Sequence, residues 1–275
     1  MTRKHQLSFM THAALILLVV LLAFPVYYAL VTSTLSFREA YQYPPKMLPG
    51  GEFWHNIQDA WIRARFGRLF FNSVFISLVV AAVKIVLSLL AAFAYTHFRF
   101  RGAGFLFALS MITQMLPLPV RILPTYELMA DFGWINSYYA LTVPFFASTT
   151  GILLFRQFFL TVPRELSDAA RVDGAGPLRY FWQILVPLSR TNIAALFVIE
   201  FIFMWSQYLW PLIVTNTADM RVVQIGLKML IASEQIAPEW NVIMAGTVIA
   251  MVPPLVVLVA LRKSFAQGIA MQSEK

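Results

Sequence analysis

Residues 70–95 read FFNSVFISLVVAAVKIVLSLLAAFAY, with Lys84 the one charged side chain in the run. As an α-helix rising 1.5 Å per residue this stretch is about 39 Å long, more than the roughly 30 Å of a bilayer's hydrocarbon core. Comparable runs recur at about His12–Val31, Ala103–Leu123, Tyr138–Leu160, Asn192–Val214 and Val242–Leu261. The whole composition agrees: 59% of the 275 residues are hydrophobic, 12% are charged, and the mean hydropathy is +0.70. A soluble domain carries roughly 25% charged residues, so this chain could not keep its surface wet. The sequence predicts an all-α polytopic membrane protein with six transmembrane helices, forming a single transmembrane domain over residues 1–275. The first run is longer than the apolar core of a cleaved signal peptide, and Phe24-Pro25-Val26-Tyr27-Tyr28 offers no small-residue cleavage site. It reads as an uncleaved first span.

The same inventory excludes several functions. There is no cysteine, hence no thiolate nucleophile and no Cys-ligated metal. His5, His12, His55 and His97 are scattered, with no His-Glu-x-x-His pair to hold a metal on one helix face. No Gly-x-x-x-x-Gly-Lys phosphate loop is present, so the chain does not itself bind ATP in that manner. The net charge of +8 would suit nucleic acid, but Lys and Arg enrichment of cytoplasmic loops explains it without such a partner. No catalytic residue, cofactor or metal is expected in this chain.

Six spans place both termini on one side. Of the 21 Lys and Arg, twelve then lie on the side of the termini and eight on the other, which makes the termini cytoplasmic by the positive-inside rule. Extended polar material is confined to external loops at about 32–69 and 215–241 and to a cytoplasmic loop at about 161–191. That last loop begins Thr161-Val162-Pro163-Arg164-Glu165-Leu166-Ser167-Asp168-Ala169-Ala170-Arg171-Val172-Asp173-Gly174-Ala175-Gly176-Pro177. Pro163 suits a first helical turn and Glu165 the positive end of the helix dipole. Leu166, Ala169 and Ala170 fall at i, i+3 and i+4 and share one face. Two alanines keep that face small, so another protein's surface could approach the backbone closely. Asp168 and Arg171 can support each other three residues apart, and Gly174, Gly176 and Pro177 end the helix. The competing reading is an amphipathic helix lying on the bilayer, which calls for bulkier apolar residues than these.

Asp168-Ala169-Ala170, Gly174, Ile184 and Pro187 stand at the spacing of the cytoplasmic signature of ABC importer permeases, which this segment resembles. Asp168 replaces the family's Glu, and Val186 replaces its Leu. Ser88–Tyr95 with Phe98-Arg99-Phe100, Tyr208-Leu209-Trp210-Pro211-Leu212, Trp240–Gly246 and Phe265-Ala266-Gln267-Gly268 resemble the maltose-type carbohydrate-uptake branch. The resemblance implies the type I ABC importer permease fold in a bacterial inner membrane. It also implies that Glu165, Asp168, Ala169, Ala170, Asp173, Gly174, Ile184 and Pro187 couple the chain to an ATPase. The partners so implied are a second permease subunit, two ATPase subunits that carry ATP and Mg, an extracytoplasmic substrate-binding protein and membrane lipid. Leu118–Thr125 and Leu154–Phe159 resemble the glycerol-phosphate members, implying sn-glycerol-3-phosphate or glycerophosphodiesters as cargo. A neutral sugar or oligosaccharide is the alternative, and an ion-coupled secondary transporter a more distant one.

Ionisable residues inside spans cost about 2.5–3.5 kcal/mol each on insertion scales, so each is a functional candidate. Lys84 reads as an anion contact or as a packing lysine with a paired neighbour. Glu200 would repel a phosphate ester; it reads as a partner of Lys84 or another base, or as an acceptor for polyol hydroxyls. Arg121, between Pro119 and Pro124, reads as a bidentate phosphate ligand or an interface arginine. Trp205, Gln207, Tyr208 and Trp210 form an aromatic-polar cluster that reads as packing, interface belt or sugar platform.

Overall fold

The computed structural model describes residues 3–232 and 237–273. Among these, every regular element is helical. In chain order the α-helices are α1 (Arg3–Thr32), α2 (Phe37–Ala40), α3 (Phe53–Arg63), α4 (Phe66–His97), α5 (Ala103–Met115), α6 (Leu118–Asp131), α7 (Tyr138–Thr142) and α8 (Thr149–Thr161). They continue with α9 (Arg164–Val172), α10 (Pro177–Tyr180), α11 (Val186–Leu188), α12 (Arg190–Trp205), α13 (Leu209–Val214), α14 (Val223–Ala232) and α15 (Trp240–Ser273). Among the described residues, three helices are long and apolar enough to cross a bilayer unbroken: Met10–Thr32 of α1, α4, and Trp240–Arg262 of α15. Their outward faces are apolar, with Leu15, Ile16, Leu17, Leu21 and Leu22 more than half exposed along α1 alone. A water-soluble monomer rarely shows so large an apolar surface.

The other expected spans are broken, each for a local reason. Span three divides into α5 and α6 because Pro117 drives Leu116 to extended backbone (φ −72°, ψ 117°). Pro119 then falls in the first turn of α6, where its missing donor is harmless, and Pro124 is carried inside the helix. Span four is Tyr138–Phe145, including a 3-10 turn, followed by α8 at a 40° bend. Ser148 starts the second piece, its Oγ accepting the Gly151 N–H at 3.1 Å. Span five is α12, which ends at Trp205, and α13 resumes at Leu209.

By contacts the chain divides into two compact units, one of Met1–Gly67 with Ile225–Val252 and one of Arg68–Gln224 with Pro253–Lys275. In the first, Asn56 is the buried organiser: its Nδ2 donates to the Ser33 and Leu35 carbonyls at 3.0 and 2.8 Å. Its Oδ1 accepts from Asn241 Nδ2 at 2.8 Å. A Ser36–Glu39 capping box begins α2, and Lys46 Nζ reaches Glu39 Oε1 at 2.6 Å. The Lys46 hydrogen bond, with help from the Ser36 donors, lowers the Glu39 pKa to about 2.

The second unit holds a core of Leu89, Phe93, Phe155, Phe159, Phe181 and Leu196 among others. Gly151 sits where α8 meets α4 and α12. A Cβ there would stand 2.9 Å from both the Leu196 Cδ2 and the Ser88 Cβ atoms, so only glycine allows this approach.

Candidate functional site

The 161–191 loop is a helix–turn–helix seated on the second unit's core. Helix α9 begins one residue after Pro163, which takes the N-cap position rather than the first turn. It ends in a two-bond turn: the Gly174 N–H donates to the Arg171 carbonyl at 3.0 Å and the Ala175 N–H to the Ala170 carbonyl at 2.8 Å. These are the paired bonds of a Schellman cap, with Gly174 in the left-handed region at φ +73°. Among the described residues, its two chain neighbours aside, no atom lies within 4 Å of where its Cβ would be, so within them torsion alone requires glycine there.

The alanine face splits. Ala170 is 5% exposed and belongs to the core cluster with Phe93, Tyr180 and Phe181. Its small side chain lets α9 lie close on that cluster instead of facing a partner. Glu165, Asp168, Ala169 and Val172 are all exposed, at i, i+3, i+4 and i+7. They form the outward face, to which Leu166 (39% exposed) and the C-cap residue Asp173 add. Asp168 Oδ1 and Arg171 Nη1 lie 3.7 Å apart, both highly exposed, and such a pair contributes little.

The return segment is shaped by Pro187. Between α10 and α11, Phe181–Leu185 forms a π turn, closed by the Val186 N–H on the Phe181 carbonyl. Pro187 can donate no bond and its ring crowds the carbonyl four residues back, which a widened turn relieves. Ile184 is half-buried against the core cluster. Ile184 and Pro187 therefore hold the loop's shape from within, while the α9 residues form its outer face. At Ser189 the chain turns by 72° into α12.

The second assembly is intramembrane. Lys84 on α4 and Glu200 on α12 meet at Nζ–Oε2 2.6 Å, with side chains 7% and 6% exposed. Ser148, at the bend of span four, donates its hydroxyl to Glu200 Oε1 at 2.7 Å. The ammonium also lies 4.9 Å from the centre of the Phe203 ring. Removing one partner of such a pair costs about 3–5 kcal/mol, because the other charge is left buried. Ser148 had no signal in the apolar pattern beyond the helix-capping string Ser148-Thr149-Thr150-Gly151.

The remaining candidates scatter. Arg121 is exposed on the first turns of α6, apart from the ion pair's network. Trp205 is 3% exposed, stacked on Phe201 at 6.0 Å and edge-on to Phe70 at 5.6 Å. Trp210 is 1% exposed and donates its indole N–H to the Ala140 carbonyl at 2.9 Å. Both tryptophans are core, which leaves neither face for a sugar. Gln207 and Tyr208, at the break between α12 and α13, keep partial exposure.

The exposed helix–turn–helix loop and the polar intramembrane network stand on a polytopic helical chain, and its relatives show the class of that chain to be a transport permease. Residues 84–271 match the family described as the binding-protein-dependent transport system inner membrane component, and the chain belongs to it. A Yersinia enterocolitica protein is 41% identical over 278 residues, covering 99% of both chains. An Agrobacterium fabrum protein is 44% identical over 271 residues, covering 96% of both. Each is named sn-glycerol-3-phosphate transport system permease protein UgpE. The fold is shared with a bacterial ABC transporter involved in the import of the acidic polysaccharide alginate, at TM-score 0.84 and 20% identity. That match covers 96% of this chain and 99% of the other.

Proposed function

We propose that this chain is a transmembrane permease subunit of an ATP-driven ABC importer for sn-glycerol-3-phosphate, with glycerophosphodiesters as related cargo. The observation that carries the reading is the near-full-length identity to permeases named for that substrate, 41–44% across the chain. The 161–191 loop supports the ATP-driven part. A nine-residue helix fixed to the core by Ala170 and stopped by a Schellman cap is a lever that transmits a push without bending. Glu165, Asp168, Ala169, Val172 and Asp173 offer the face for an ATPase, which binds the ATP and Mg. The functional assembly has a second permease subunit, two ATPase subunits and an extracytoplasmic binding protein, with both termini of this chain in the cytoplasm. Closure of the ATPases moves α9, and the spans pass from inward-facing to outward-facing.

Purification of the chain with its partners and reconstitution into liposomes tests this. ATP-dependent uptake of sn-glycerol-3-phosphate, requiring the binding protein, is the expected result. Uptake of a neutral sugar instead would move the chain to another branch of the family. Uptake driven by an ion gradient without ATP would overturn the importer.

A further inference from the structure

The Lys84–Glu200–Ser148 network opens onto a cavity of about 130 Å³ lined also by Ala147, Thr150, Ile199 and Phe203. Room for one water needs about 10–15 Å³, so several polar groups of a ligand fit. The cavity lies against the non-helical step between Phe145 and Thr149, at the depth where Lys84 sits near the middle of α4. Irregular backbone at membrane depth is tolerated where it is buried in protein or lines a polar cavity, and Ser148 in that step bonds directly to Glu200.

The chemistry of this wall is specific. Lys84 and Glu200 cancel in charge, so a phosphate arriving here meets a carboxylate as near as the ammonium. A carboxylate has about four lone-pair sites. Lys84 and Ser148 occupy one on each oxygen, which leaves about two acceptors. The ammonium has three donors, of which one is committed to Glu200. An alcohol can use both kinds of group at once, whereas an anion can use only the donors. Stability alone is a weak reason to keep such a pair, since apolar residues of similar volume replace buried ion pairs at little cost.

We infer that this cavity is a hydroxyl-binding subsite for the uncharged polyol end of the cargo, with Glu200 the acceptor and Lys84 its orienting donor. The phosphate is then recognised elsewhere. This subsite rests on the importer reading given above.

The test uses the reconstituted complete transporter with saturating binding protein and sn-glycerol-3-phosphate as probe. Glu200→Gln removes the negative charge but keeps the shape. A hydroxyl subsite predicts an apparent KM raised roughly ten- to a hundredfold, the worth of a hydrogen bond to a charged group. A lowered KM would show that Lys84, once freed, grips the phosphate, and would overturn the inference. Two further variants guard against misfolding. Lys84→Met/Glu200→Met replaces the pair with apolar residues, and Ala147→Leu fills the cavity from an exposed position without touching the network. Each is expected to be recovered as complex but to import at least tenfold more slowly. Wild-type uptake by either would reduce the pair to a packing device. Failure of the wild-type complex to import the probe at all would count against the importer, not against the subsite alone.

Discussion

A substitution series at Gly174 separates two reasons for a glycine at the end of α9. With φ +73° and open space where a Cβ would stand, the requirement inside this chain is torsional. An L-residue in the left-handed region costs roughly 1–2 kcal/mol, and a β-branched one more, since it is a genuine outlier there. The two bonds of the cap, at 3.0 and 2.8 Å, contribute about 0.5–1.5 kcal/mol each. Gly174→Val therefore brings strain comparable with everything the turn gains, and the turn opens. Gly174→Ala shifts the closed-to-open ratio by about five- to thirtyfold. Gly174→Asn costs least, because Asn tolerates this region.

The measurement is the ratio of sn-glycerol-3-phosphate uptake to ATP hydrolysis in proteoliposomes. The expected order is Gly, then Asn, then Ala, with Val inactive in transport though still inserted in the membrane. If a partner's surface pressed on Gly174 instead, side-chain size would govern and Ala would outperform Asn. That reversal would refute the torsional account. Normal coupling by Gly174→Val would remove the basis for treating this loop as a coupling element.

Other perturbations follow from the same structure. Cysteine at Trp54, which is 78% exposed, should react with an impermeant thiol reagent outside intact cells, whereas cysteine at Leu178, 65% exposed, should react only in inverted vesicles; the opposite pattern reverses the topology. Gly151→Ala should lower the melting temperature of the purified complex, since overpacking at the Ser88 and Leu196 contacts costs about 1–3 kcal/mol, while Gly104→Ala, in open space, should not. Arg121→Gln should weaken sn-glycerol-3-phosphate uptake about ten- to a hundredfold, and Arg121→Lys should fall between, keeping charge without the planar fork; unchanged uptake would dismiss Arg121 as a phosphate ligand.

What could be read in the sequence depended on the range of the interaction responsible. Span α4 was legible because a long run with one charge has few other fates in a helical protein. Positions 165–174 were legible as helix and stop because capping is decided within a few residues. Periodicity placed Leu166, Ala169 and Ala170 on one face, but it could not say which way that face turns. The answer came from Tyr180 and Phe181 on the return segment, whose packing drew Ala170 inward and left Glu165, Asp168, Ala169 and Val172 outward. Of the three prolines in span three, Pro117 makes the break and Pro119 does not, because a proline disturbs the residue before it while one in a first turn is harmless. The Lys84–Glu200 pair joins residues 116 apart, yet it was among the pairings the sequence left open. Each of the two was suspicious alone, since a charge inside a span must find a partner. Ser148 raised no such suspicion, because a hydroxyl in a span can bond its own helix. It became visible only when the bend at residues 146–148 was seen to carry it out of that helix and onto Glu200.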